Sequence, residues 1–177
     1  MFGRLTKMEI QSKLPRIKNM LLKVLLIAVF LMIFLQDKKD RMVYWSLYLL
    51  AGIFCFWIQL SENILEVALM NVVFNLFLIG IVIAVSYLYT TRVKKIGFLN
   101  ESIGGGDILL FIALCFSFST VAFILLFTFS LLFALVLHLY ASKKDKQKTV
   151  PLAGYMALFF SGVYLISFFT PPKHLFA

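Results

Sequence analysis

The chain has 177 residues, 62% hydrophobic and 14% charged, and its 17 Lys and Arg against 8 Asp and Glu give a net charge of +9. An ordinary soluble domain is about 45–50% apolar, so twenty phenylalanines and a mean hydropathy of +0.98 exclude a water-soluble enzyme, a disordered tail and a disulfide scaffold. What remains is an all-α integral membrane protein, with room for six transmembrane helices of about 20 residues each and no sizeable soluble domain.

Residues 1–19 read as a basic N-terminal tail interrupted by Pro15, residues 20–170 as a six-helix membrane domain, and residues 171–177 as a short C-terminal tail. The first apolar run, 21–36, has Lys23 close enough to its start to snorkel. It is longer than the core of a secretory signal and lacks a small-residue cleavage site, so it reads as a true span. The charged knot Asp37-Lys38-Lys39-Asp40-Arg41 separates it from a second run, 43–60, and the polar turn Ser61-Glu62-Asn63 leads to a third, about 67–89. The longest connection, 90–106, carries Arg92, Lys94, Lys95 and the triplet Gly104-Gly105-Gly106. Residues 107–140 are apolar for too long to be one span, and Ser117, Ser119 and Thr120 mark the break between a fourth and a fifth helix. The basic loop 143–148 and Pro151 precede the sixth run, which ends before Pro171-Pro172.

The loops after helices one, three and five hold the Lys and Arg residues, whereas those after helices two and four hold none. The positive-inside rule therefore puts the basic loops in the cytoplasm and both termini outside. The basic amino-terminal tail fits that orientation only if it is translocated despite its charge or if translation starts at Met8 or Met20. Short basic clusters between apolar runs fit loop anchoring and contact with anionic membrane lipids, and not nucleic acid. Cys55 and Cys115 lie inside apolar runs without the spacing of a metal site or disulfide framework, and read as small buried residues.

An ionisable residue at the membrane is costly and is a functional candidate for that reason. Asp37, at the end of helix one, and Asp107, at the start of helix four, come out on the same membrane face. Two carboxylates brought close do not both ionise easily, so the pair supplies a general base to activate water and a general acid for the leaving group. Gly104, Gly105 and Gly106 place backbone without side chains beside Asp107, suited to close approach of a substrate strand. The competing reading is a helix start, with Asp107 favoured there by the macrodipole.

Gly104-Gly105-Gly106-Asp107 resembles the Gly-x-Gly-Asp signature of the type IV prepilin peptidases, six-span aspartic proteases of the bacterial inner membrane. Asp37 stands in the place of that family's first aspartate, with Val43 and Tyr44 where the family has Ile-Pro. The basic loop closing on Val150-Pro151 is similar to the family's proline-containing motif before its last helix, and the likeness covers about residues 21–170. The sequence departs from the family at Leu109, where a lysine is usual, at Tyr44, and at Ala153-Gly154, shifted against the family's Gly-Pro. It also lacks the four-cysteine zinc motif of the longer members, which carry an N-methyltransferase activity.

The resemblance implies a peptidase-only form with Asp37 and Asp107 as the catalytic pair and Gly104, Gly105 and Gly106 binding substrate, without metal or other cofactor. The implied substrate is a prepilin-like membrane protein with a short basic leader, cut at the cytoplasmic face. Two rivals stand beside this reading: an inactive relative that binds pilin-like helices as a scaffold, and a transporter using the carboxylates for ion passage. Edge placement of the carboxylates speaks against the transporter.

The remaining polar residues carry bland readings. Asp40, between Lys39 and Arg41, reads as a solvated loop charge, and Glu62 and Glu66 as parts of the outer turn. Asn71 and Asn75, four apart, read as interhelical hydrogen-bonders. His138 reads as a boundary residue, and Tyr44, Trp45, Tyr87 and Tyr140 as interface anchors.

Overall fold

A computed structural model describes residues 2–40, 42–94, 104–142, 151–170 and 173–176, with side chains for 17–39, 42–92, 104–140, 151–170 and 175–176. Arg41, Lys95 and the basic loop 143–148 lie outside the described residues, as does the side chain of Asp40. Every regular element among the described residues is helical: α1 Phe2–Asp40, α2 Trp45–Glu62, α3 Leu65–Tyr89 with a π-helical turn Thr90–Lys94, α4 Gly105–Leu114, α5 Thr120–Ser142, α6 Leu152–Ile166 and α7 Lys173–Phe176. The segment expected to be a tail is helical from Phe2 and continuous with the first span, consistent with its content of Lys, Leu, Met and Glu.

Four stretches are long and apolar enough to cross a membrane: Ile17–Lys39, Trp45–Glu62, Leu65–Arg92 and Thr120–Tyr140. The sequence predicts six. The helices in the fourth and sixth places, α4 and α6, have only 10 and 15 residues, or about 15 and 22 Å at 1.5 Å per residue. The expected break ends α4: residues 115–119 leave the helix as a turn, in which the Ser117 N–H donates to the Leu114 carbonyl. α5 then starts with the Phe123 N–H donating to the Ser119 carbonyl. The hydroxyls at the break bond to groups far along the chain, Ser119 Oγ donating to the Leu175 carbonyl at 3.4 Å and Thr120 Oγ1 to Asn71 Oδ1 at 3.3 Å, so tertiary partners hold the turn.

α6 is the central helix. Ala153, Gly154, Tyr155, Met156, Ala157, Phe160, Ser161 and Tyr164 are all buried along it, the burial expected of a helix apolar all round. α1 packs antiparallel against one side of it in the most extensive helix pair, and α5 and α4 also contact it. α3 and α5 turn their large side chains outward: Val73, Phe77, Phe129 and Val136 are each more than half exposed. Monomers in water rarely expose contiguous apolar surface on this scale; a bilayer accepts it. Tyr44, Trp45, Tyr87 and Tyr140 are exposed as well.

At one end of the bundle polar groups tie the helices together. Asn19 Nδ2 donates to Glu62 Oε1 at 3.4 Å, and Lys23 Nζ to the Ser167 carbonyl at 3.4 Å. The C-terminal segment folds beneath the α4–α5 turn, where the Leu175 carbonyl accepts from Ser119 N–H at 3.2 Å and the Phe176 ring stacks on Phe118. Asn71 and Asn75 bond across helices as expected, Asn71 Oδ1 accepting from Thr120 Oγ1 at 3.3 Å. Cys55 and Cys115 are free and buried.

Candidate functional site

The opposite end of the bundle brings together the last turn of α1 and the first turns of α2, α4 and α6. A helix start leaves its first amides without intrahelical partners. Pro151 stands at the N-cap of α6 and offers no side-chain acceptor to them. Two aspartates from other helices take that role. Asp37 Oδ2 accepts from Gly154 N–H at 2.6 Å, and Asp107 Oδ1 accepts from Ala153 N–H at 2.8 Å. Two carboxylates about seventy residues apart in sequence thus sit on consecutive amides at the positive end of one helix, a placement the macrodipole favours.

Asp107 also closes its own helix. Its Oδ2 accepts from Gly104 N–H at 3.2 Å while its N–H donates to the Gly104 carbonyl at 3.0 Å. The glycine triplet is therefore a helix start: Gly104 is the extended N-cap, at φ −69° and ψ 143°, and Gly105 and Gly106 form the first turn. Their value lies in space and not in unusual dihedrals. A Cβ on Gly106 would stand 2.8 Å from the Tyr48 hydroxyl, and one on Gly154 would stand 2.9 Å from Asp37 Oδ2. Gly105 has open space around it.

Asp107 lies outside the four long helices, and burial pushes its carboxyl up to about 6. The Ala153 amide opposes that rise, the negative charge of Asp37 adds to it, and the Gly104 amide opposes it. Burial thus favours the neutral carboxyl of Asp107 while it is held against α6. Buried Tyr48 lies within electrostatic reach of both carboxylates. It also lines an apolar groove of about 290 Å³ between α2 and α4, together with Leu49, Ile53, Leu109 and Ile112. Leu109 thus puts an apolar side chain two residues from Asp107 in the wall of that groove.

Sequence reasoning named Asp37, Asp107 and the glycines, and the fold seats the two carboxylates on the start of α6, with Gly104 and Gly106 opening α4, the helix that carries Asp107. It missed Tyr48 and the roles of Ala153 and Gly154. Pro151 ahead of an apolar run was the available signal for unsatisfied amides; nothing in the sequence singles out Tyr48. Among the described residues no group of three or more His, Cys, Asp or Glu is arranged to hold a metal ion.

Comparisons with protein-family models, with curated proteins and with solved structures find no match.

Proposed function

We propose that this protein is an intramembrane aspartic endopeptidase similar to the short type IV prepilin peptidases. The observation that carries the reading is the seating of Asp37 and Asp107 on adjacent amides of α6. In the proposed reaction the ionised carboxylate takes a proton from water, whose oxygen attacks the scissile carbonyl carbon. The protonated carboxylate then gives its proton to the leaving amine as the C–N bond breaks. The pair shares one proton and titrates as a unit, so the two roles belong to the pair.

Six membrane-embedded helices, four of them long enough to cross alone, and an active site at the cytoplasmic face complete the proposal. The substrate is a prepilin-like membrane protein, its basic leader at the cytoplasmic side and its apolar helix in the bilayer. The groove beside Tyr48 and Leu109 suits an apolar segment next to the cleavage point. A bacterial inner membrane follows from the same resemblance.

A second reading has its own observation. Both carboxylates already cap α6, which is what an inactive, helix-binding scaffold would retain, and Leu109 replaces the family's lysine. Cleavage of a prepilin-like substrate by purified protein separates the two. Asp37→Asn and Asp107→Asn, which keep an oxygen for the α6 amides, are expected to fold and to lower cleavage at least about 100-fold, the lower range of general acid–base catalysis. Cleavage that survives either substitution removes the pair from the reaction. Absence of cleavage by the parent protein favours the scaffold.

A further inference from the structure

We propose that the turn joining α4 to α5 is a built-in water site, in which Gln59 Oε1 and Asn75 Oδ1 accept hydrogen bonds from one or two bound water molecules. Gln59 on α2 and Asn75 on α3 are both 0% exposed. Gln59 Nε2 donates to the Phe118 carbonyl at 3.4 Å, and Asn75 Nδ2 donates to the carbonyls of Cys115 and Phe118, both at 3.1 Å. Two carboxamides from different helices thus converge on one carbonyl of the broken backbone. Each leaves a buried oxygen that accepts from no described group.

The orientation of the amides is set by the backbone. Turning either one over would aim a carboxamide oxygen at the Phe118 carbonyl, acceptor against acceptor, and would strand an N–H₂ group that must donate. The two oxygens are therefore the free valences of the site, and what fills them has to be a donor. The site is also enclosed, so the donor is small. Lys23, a cation, already lies at this end of the bundle with its ammonium on the Ser167 carbonyl. The oxygens at hand are neutral and add no negative charge to hold a bare cation against that repulsion, and the carboxylate at this end, Glu62, accepts from Asn19. Water meets each requirement: it donates, it is neutral, and irregular backbone at membrane depth is tolerated where it is buried in protein or meets water. Bound there, it links α2 and α3 to the turn that ends α4, the helix whose first turn carries Asp107. None of this depends on the peptidase reading.

The test is a crystal structure of the whole protein grown from a lipidic mesophase and resolved to about 2 Å, once in sodium and once in rubidium buffer. The expected result is a density peak about 2.5–3.0 Å from Gln59 Oε1, Asn75 Oδ1 or both, the same in both buffers and without rubidium anomalous signal. Asn75→Leu, with volume nearly kept, is expected to lose the peak at that position. Two results overturn the proposal: an anomalous rubidium peak, which makes the site one for cations, or no peak within hydrogen-bond distance of either oxygen.

Discussion

Gly154→Ala is the substitution whose outcome the geometry decides most sharply. In a helix, alanine normally replaces glycine with a gain of about 0.5–1 kcal/mol, because glycine loses more backbone freedom on folding. At position 154 the new methyl carbon would lie 2.9 Å from Asp37 Oδ2, 3.1 Å from Asp37 Cβ and 3.4 Å from Asp37 Cγ. Rotating the carboxylate does not relieve the contact with Asp37 Cβ, which is fixed to the α1 backbone. α1 and α6 must therefore part by a few tenths of an ångström, or the 2.6 Å hydrogen bond from Gly154 must break. A hydrogen bond to a charged group contributes about 1.5–3 kcal/mol. The loss exceeds the helical gain, leaving the variant about 0.5–2.5 kcal/mol less stable. Gly162→Ala supplies the control in the same helix, since a Cβ there meets nothing within 4 Å, and it is expected to stabilise the protein or leave it unchanged. Thermal unfolding in one detergent reads both variants. If Gly154→Ala melts at or above the parent while Gly162→Ala behaves as expected, the close approach of Asp37 to α6 is refuted.

Three further outcomes are expected. Because the Asp107 carboxyl is raised from 3.8 to about 6 in the folded protein, that state binds more protons than the unfolded chain between about pH 4 and 6. The contribution of Asp107 to stability is thus greatest at the acid end and falls as pH rises to about 6. Melting temperatures of the parent minus those of Asp107→Asn isolate it, and a difference that grows with pH through this window contradicts the buried, carboxyl-facing position. Lys23→Met removes an ammonium that lies on the Ser167 carbonyl and faces the rings of Phe168 and Phe176. It should cost about 1–2 kcal/mol, and an unchanged denaturation midpoint would show that the lysine carries no such bond. Cys55 and Cys115, both 0% exposed, should resist a maleimide in the native protein and react after denaturation; fast native labelling of either would place it elsewhere.

What was legible in the sequence follows from what hydropathy measures. Runs of apolar residues located α2 to α6 and the apolar part of α1, though not its extension back to Phe2 or the short α7. Ser117 and Ser119 located the break between α4 and α5. Hydropathy does not separate an apolar stretch that crosses a bilayer from one that is buried by protein, so α4 and α6 were counted as full spans. Among the site residues, scarcity made the aspartates stand out, since few carboxylates occur in so apolar a chain. The backbone amides of Ala153 and Gly154 have no such signal, because their contribution comes from their place at the start of α6 and not from their side chains. Tyr48 was hidden among several aromatic residues that suit a membrane boundary equally well.

The contact between α1 and α6 has a consequence for how the first helix can move. Along α1, Lys23 and Asp37 are fourteen residues apart, and their partners on α6, Ser167 and Gly154, are thirteen apart. At about 1.5 Å per residue these are nearly equal lengths, about 21 and 20 Å. One helix thus grips the other like a caliper, an anion at the positive tip and a cation at the negative tip. Sliding α1 lengthwise in either direction opens both jaws at once, and a slip by one turn would bring unlike partners together at neither end. Rotation about the line joining the two pins leaves both closed. The length of α6 therefore gauges where Asp37 stands, and the setting is read off at the far end of the bundle, by a lysine that never comes near the carboxylates.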